Sequence, residues 1–248
     1  MSVERWAIIN DFHVPKHDKR KVTLWLKIMR EWKPDAITVN GDFDDFEAPG
    51  RWVKGTPSEY TERVAVTTET DSKKLLKEIR EDHPDAEMDW LDGNHEVRVE
   101  DYIAKNAPAL VDSLTIPRIF DLENLGIEYQ PYSAPPKKKY GGLYVHHGTF
   151  VSKNAGESVR KEMDHYGVPI IMGHTHRLAS TRVSYYDGRV LRGFEGGHLC
   201  DPKQMDYAPF QNWQPGFLTG MVYGSKCFIT EHEFIGNSVD FYGTRYDA

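Results

Sequence analysis

Five short stretches carry side chains that bind metals or move protons. They are Asp11-Phe12-His13, Gly41-Asp42-Phe43-Asp44-Asp45, Gly93-Asn94-His95-Glu96, His146-His147-Gly148 and Gly173-His174-Thr175-His176. Each follows an apolar run and turns on a Gly or an Asp. In extended backbone, alternate side chains share a side, so His174 and His176 are expected to face together, as are Asp11 and His13. The glycines let backbone approach a site with no side chain in between. Imidazole and carboxylate ligands without thiolates suit borderline divalent metals such as Mn, Fe, Co, Ni or Zn. One carboxylate can bridge two ions, and Asp42, on the turn after a central strand, is the candidate bridge. Taken singly, each stretch reads equally well as turn chemistry. Five in order, each after an apolar run, argue against coincidence.

The elements that must hold these stretches are legible as hydrophobic periods. Trp6-Ala7-Ile8-Ile9 and Ala36-Ile37-Thr38-Val39 read as buried strands. Between them, residues 19 to 32 repeat apolar side chains at helical spacing, and Pro34 stops that helix. The strand–helix–strand unit implies parallel pairing with a crossover helix. A long helix is expected over 60 to 82, a strand over Glu87 to Leu91 and broken helix over 97 to 112. Further strands are expected before His147 and before Gly173, with a helix between them. The last third alternates strand-like segments, with Asp187-Gly188 and Gly224-Ser225 as hairpin turns. In an open α/β sheet, ligands gather at the carboxyl ends of the strands, so the five stretches should converge on one rim. No repeat and no linker composition divides the chain, and one domain over residues 1 to 248 is expected.

Composition narrows the classes. The chain has 248 residues, a formal net charge of -7, and 28% charged residues. That balance gives no global attraction to nucleic acid or to anionic membranes. Two cysteines are too few for a secreted disulfide framework, so a reducing compartment, the cytoplasm, is expected. No stretch reaches the roughly 18 apolar residues of a membrane span, and the first residues lack the apolar length of a signal peptide.

The ordered set resembles the calcineurin-like metallophosphoesterases. Their pattern runs D-x-H, G-D-x-x-D/N, G-N-H-D/E, a His before Gly, then G-H-x-H. Here it runs as DFH, GDFDD, GNHE, HHG and GHTH, from Asp11 to His176. The compact chain resembles the phage and bacterial members. The resemblance implies a two-sheet αββα sandwich, with mixed sheets and helices on the outer faces, and two divalent ions between the strand ends. It implies Asp11, His13, Asp42 and His176 around the first ion, and Asp42, Asn94, His147 and His174 around the second. His147, directly before Gly148, takes the ligand position. His146 becomes a core residue or a neighbour of the substrate. His95 is implied as the proton or hydrogen-bond donor to the phosphoester, and Asp45 as a support that orients His95. The implied chemistry is attack on phosphorus by hydroxide shared between the ions.

The substrate is carried by weaker signals. Arg51, Trp52 and Lys54, in the loop after the second motif, are candidates to grip a phosphate and stack a base, and Arg98 after GNHE is another. A solvated loop explains them as well. Lys137-Lys138-Lys139 is either a nucleic-acid contact or a solvated face. His198 lies near the site or in a turn. Tyr207, Phe210, Trp213 and Phe217 read as core or as the contact of a homodimer. The expectation is a phosphodiesterase acting on a nucleotide or single-stranded nucleic acid, with manganese among the candidate metals. The alternatives are a phosphomonoesterase or protein phosphatase, and a non-catalytic metal-bound module that binds other proteins.

Overall fold

The computed structural model describes residues 4–50, 54–56, 68–205 and 211–248. In chain order the strands are β1 (Arg5–Ile9), β2 (Ala36–Asn40), β3 (Glu87–Leu91), β4 (Ile127–Gln130), β5 (Lys137–Lys138), β6 (Tyr144–Val145), β7 (Ile170–Met172), β8 (Leu178–Ser184), β9 (Val190–Gly196), β10 (Gly216–Tyr223), β11 (Lys226–Ile235), β12 (Ser238–Phe241) and β13 (Thr244–Asp247). The helices are α1 (Lys19–Trp32), α2 (Lys73–Asp82), α3 (Asn94–Asn106), α4 (Ile116–Phe120) and α5 (Glu157–Tyr166).

Two mixed sheets form. The larger runs β13-β12-β11-β10-β1-β2-β3-β4, and the smaller β5-β6-β7-β9-β8. β1 to β4 are parallel, and β10 joins the free edge of β1 in antiparallel register, Ile8 opposite Leu218. β6, β7 and β9 are parallel, and β8 closes on β9 as a hairpin. Alternation within the strands separates two apolar layers. Ala7, Ile9, Ile37 and Val39 face outward and pack with Val22, Trp25, Ile28 and Met29 of α1 and with Leu76 and Ile79 of α2. Trp6, Ile8 and Leu218 face inward and meet Val145, Ile171 and Phe194 of the smaller sheet. On the far side, Val159 and Met163 of α5 cover Ile170, Met172 and Leu191. The order is therefore helix, sheet, sheet, helix, as the resemblance implied. Because the central parallel strands are covered on both faces, they read as continuous apolar runs rather than alternating ones.

Local chemistry sets the element ends. The Asp18 side chain caps α1 by accepting from the backbone N–H of Arg20 and Lys21. Lys33, with φ 55°, closes the helix before Pro34. The expected long helix over 60 to 82 is described only from Thr68, as a π-helical turn leading into α2; its first part lies outside the described residues. α3 begins at Asn94, three residues earlier than its hydrophobic period indicates, so the third motif is itself the first turn of a helix. Among the described residues no helix is long and apolar enough to cross a membrane.

Candidate metal centre

The strands stop one or two residues before the polar stretches, and the backbone there leaves the extended region. Asp11, His13, Asp42, His174 and His176 have φ of 50°, 53°, 49°, 67° and 57°. Side chains of Asp11 and His13, and of His174 and His176, do meet at one place. They do so through left-handed backbone and not, as the spacing alone predicts, through extended strand. Non-glycine residues in that region cost on the order of 1–3 kcal/mol each, and such strain clusters at functional sites.

Ligand atoms of Asp11, His13, Asp42 and His176 lie within 4.8 Å of one another, as do those of Asp42, His147 and His174. Asp42 belongs to both groups. His13 Nε2 faces His176 Nε2 at 2.9 Å, and His176 Nε2 is 3.2 Å from Asp11 Oδ1. His174 Nδ1 is 2.7 Å from Asn94 Oδ1, which brings Asn94 to the second group. His147 Nδ1 is 2.8 Å from the Asn40 carbonyl oxygen, so it donates there and its Nε2 lone pair points into the site. That Nε2 is buried, lies 3.2 Å from Asp42 Oδ2 outside hydrogen-bond geometry, and has no hydrogen-bond partner among the described residues.

The electrostatics favour cations. Burial opposes protonation of His147, but the Asp42 carboxylate outweighs it and raises the group to about 10. Burial pushes His13 down to about 4, helped by charge on His95, and pushes His174 to about 4, helped by charge on His147. Burial would raise Asp42, yet the neighbouring His147 and His95 hold it well below the carboxylate range. The site thus sets the anionic Asp42 among two imidazoles that resist protonation, His13 and His174, and a third, His147, whose proton a cation would have to displace. That donor set, with the orphaned His147 nitrogen, fits divalent ions of the borderline class.

The surroundings hold the donors in place. His13 Nδ1 is 3.0 Å from Asp45 Oδ1, and His95 Nδ1 is 3.3 Å from the same oxygen and 2.6 Å from the Asp45 carbonyl oxygen. Asp45 therefore steadies His13 as well as the expected His95, and Lys16 Nζ binds its other oxygen at 2.8 Å. Glu96 is fully buried and accepts from three backbone N–H groups, those of Asp42, Phe43 and Gly93, at 3.0, 3.0 and 2.8 Å. It ties the second motif to the third. The sequence reading gave Glu96 no such role. Its signal was a Glu three residues after Gly93 at a helix start, a capping-box spacing. A Cβ on Gly93 would collide with the Asp42 carboxylate, which is why that position has no side chain.

Several expectations about the substrate change. His146 turns away from the centre: its Nε2 is 3.3 Å from the Tyr132 carbonyl oxygen, its Nδ1 accepts from Gly148 N, and its ring stacks on Tyr132. Its ring is buried, held by Tyr132 and Gly148 and not by the metal-capable donors. Arg51 and Trp52 lie outside the described residues, as do Tyr207 and Phe210. Lys137 and Lys139 are not a free basic strip. Their ammonium groups lie 3.5 and 2.9 Å from opposite oxygens of buried Asp89, because the β5–β6 pairing folds the segment against the larger sheet. His198 is buried behind His176, 3.0 Å from Cys200 Sγ. Trp213 packs edge-on against His176, and Phe217 is core. Arg98 reaches the centre: its Nη2 is 2.6 Å from His95 Nε2 and its Nη1 donates to the Asp45 carbonyl at 3.2 Å.

The two-sheet sandwich with a buried His/Asp cluster at its strand ends is the metallophosphoesterase fold. Among solved structures, a single mutant of Vps29 from Entamoeba histolytica aligns over 98% of this chain and 99% of that chain, with a TM-score of 0.51 at 16% identity, a likeness of fold. No protein-family model matches the chain. Two proteins called gene 54 protein are similar in sequence. That of Mycobacterium phage L5 is 29% identical over 234 residues, 89% of this chain and 90% of its own length. That of Mycobacterium phage D29 is 29% identical over 227 residues, 86% and 87% respectively.

Proposed function

We propose that the protein is a metal-dependent phosphodiesterase acting on a nucleotide or a single-stranded nucleic acid, of the phage and bacterial kind to which the gene 54 proteins would also belong. The whole chain acts as one catalytic domain. A reducing cytoplasm suits it, since both cysteines are free and buried. The observation that carries the reading is Asp42, whose carboxylate is shared by two groups of donors beside a buried histidine.

Asp11, His13, Asp42 and His176 would hold one ion, and Asp42, Asn94, His147 and His174 the other. Divalent ions bound there supply Lewis-acid charge neutralisation on a phosphate and activation of water at neutral pH. His95 serves as the proton donor to the leaving oxygen. Burial disfavours its charge, but Asp42 and the hydrogen bond to Asp45 outweigh burial and raise it above its ordinary value. Its Nδ1 is held by Asp45, so Nε2 is the atom that must face the leaving group. Arg98 occupies that face and must move off it before the proton passes.

The test is hydrolysis of bis-p-nitrophenyl phosphate against p-nitrophenyl phosphate, with metal-stripped protein resupplied with Mn²⁺, Ni²⁺, Zn²⁺ or Mg²⁺. Diester preference that needs metal, with turnover that falls in His95→Ala, is the expected result. A monoester preference indifferent to His95→Ala would replace this reading with a phosphatase. Two bound ions with no turnover would replace it with the binding module.

A further inference from the structure

A cavity of about 500 Å³ opens beside Asn94 and runs along one face of α3. Asn94, Arg98, Tyr102 and Lys105 line it from the helix, and Gly50 and Lys54 from the opposite wall. Positions 94, 98, 102 and 105 form a single helical stripe. From Asn94 to Lys105 the stripe extends about 16 Å at 1.5 Å per residue. The chain is acidic overall, at -7, yet this groove sets Arg98, Lys105 and Lys54 against one carboxylate, Asp101. Among the described residues none of these three cations is ion-paired to a carboxylate; Arg98 spends its donors on His95 Nε2 and the Asp45 carbonyl. Lys137 and Lys139, by contrast, are neutralised by Glu128 and Asp89. Tyr102 is 43% exposed.

We infer that this groove binds the part of the substrate that departs, and that the substrate is a nucleotide-type phosphoester carrying a second phosphate beyond the one at the metal centre. The inference rests on the phosphoesterase reading. Arg98 lies one helical turn from Asn94, about 6 Å along the axis. Its planar guanidinium suits two-point contact with phosphate oxygens. The ring of Tyr102 offers a face for a base, and Lys54 and Lys105 supply phosphate contacts without sequence choice. A second phosphate at Arg98 also resolves the obstruction at His95: the guanidinium exchanges a neutral ring nitrogen for an anion, and the freed Nε2 can take up a proton from water and pass it to the leaving oxygen. A substrate with one phosphate must displace Arg98 from Nε2 without that exchange, and so reacts through His95 less readily.

The experiment measures equilibrium binding of thymidine 5′-phosphate, thymidine 3′,5′-bisphosphate and an eight-residue oligothymidylate to the full chain by calorimetry, with and without metal. The variants are Lys105→Ala and the pair Lys54→Glu with Lys105→Glu, each checked by circular dichroism melting. The bisphosphate should bind at least about ten-fold tighter than the monophosphate, the worth of one charge-assisted contact. Double charge reversal, which sets two acidic groups near the phosphate at Arg98, should weaken that preference and its dependence on salt, and Lys105→Ala should reduce it part way. Equal binding of the two nucleotides, or a preference unchanged by double reversal in a folded variant, would overturn the inference. Tighter binding of the oligothymidylate assigns the second phosphate to a nucleic-acid strand, and equal binding assigns it to a free nucleotide; both uphold the groove. Bis-p-nitrophenyl phosphate has no second phosphate, so its metal-dependent turnover tests the phosphoesterase reading separately. Turnover without bisphosphate preference removes the groove and leaves the enzyme, and preference without turnover does the reverse.

Discussion

The interface between α1 and the larger sheet and the rim at the strand ends follow opposite rules. In the interface, Val22, Trp25, Ile28 and Met29 recur at helical spacing, are buried, and meet apolar strand faces. Backbone, period and burial agree with one another. At the rim, Asp11, His13, Asp42 and His176 are as buried as any core residue, yet they are polar, and their backbone is left-handed. Buried charges need paired partners to be tolerated, and left-handed non-glycine residues need surroundings that over-determine them. The rim therefore holds its shape only through the interface beneath it and through cross-ties such as Glu96 and Asp45. Apolar burial supplies the stability, and the rim uses part of it to keep a constellation that suits cations.

That contrast can be broken at either side. The largest effect is expected from Asp42→Asn, which keeps the shape of the shared carboxylate and removes its charge. Bound metal measured by mass spectrometry should fall from two ions to one or none, and metal-dependent diester turnover by about 10³-fold or more, some 4 kcal/mol. Two ions retained with full turnover would show that Asp42 is not the shared ligand. Trp25→Ala attacks the interface instead. It should lower unfolding free energy by about 3–5 kcal/mol, read by urea titration, while the folded fraction still binds two ions. Loss of metal without loss of stability would contradict the division drawn between the regions.

An effect of similar size on stability is expected from the ions themselves. Metal at 100 times its dissociation constant should stabilise the fold by about 2.7 kcal/mol per site, so chelation should lower the melting temperature by several degrees. An unchanged melting curve would mean that the rim needs no cation to offset its strain. The smallest is Glu96→Gln, in which an amide N–H₂ replaces one acceptor of backbone N–H groups. Metal affinity should weaken about 10–100-fold, with the melting temperature of the metal-free protein little changed. Unaltered affinity would limit Glu96 to a helix cap.

Much of this was legible in the residues. The buried strands, α1 and both hairpin turns follow from period and punctuation alone, because local apolar spacing and Pro34 act over a few residues. The metal-capable stretches were visible as types and spacing, and Asp42, the candidate bridge, does belong to both donor groups. Less was legible where a role depends on distant chain. His146 and His147 are neighbours with equivalent chemistry. One meets Asp42, and the other meets the Tyr132 carbonyl, because β6 places them against different loops. Glu96 reads as a helix cap, and its hold on Asp42 and Phe43 requires contacts over more than fifty residues. Lys137 and Lys139 read as solvated charge until Asp89 comes alongside.

By itself the sequence determined the donor types, their order along the chain and the strands that end at them, since these depend on residue chemistry and short-range period. Tertiary structure alone decided which donors share Asp42, the left-handed backbone that turns alternate residues into one site, and the cationic stripe of α3 beside it. The physical reason is that these features arise where separate segments meet, and the packing of two sheets and their helices sets that meeting.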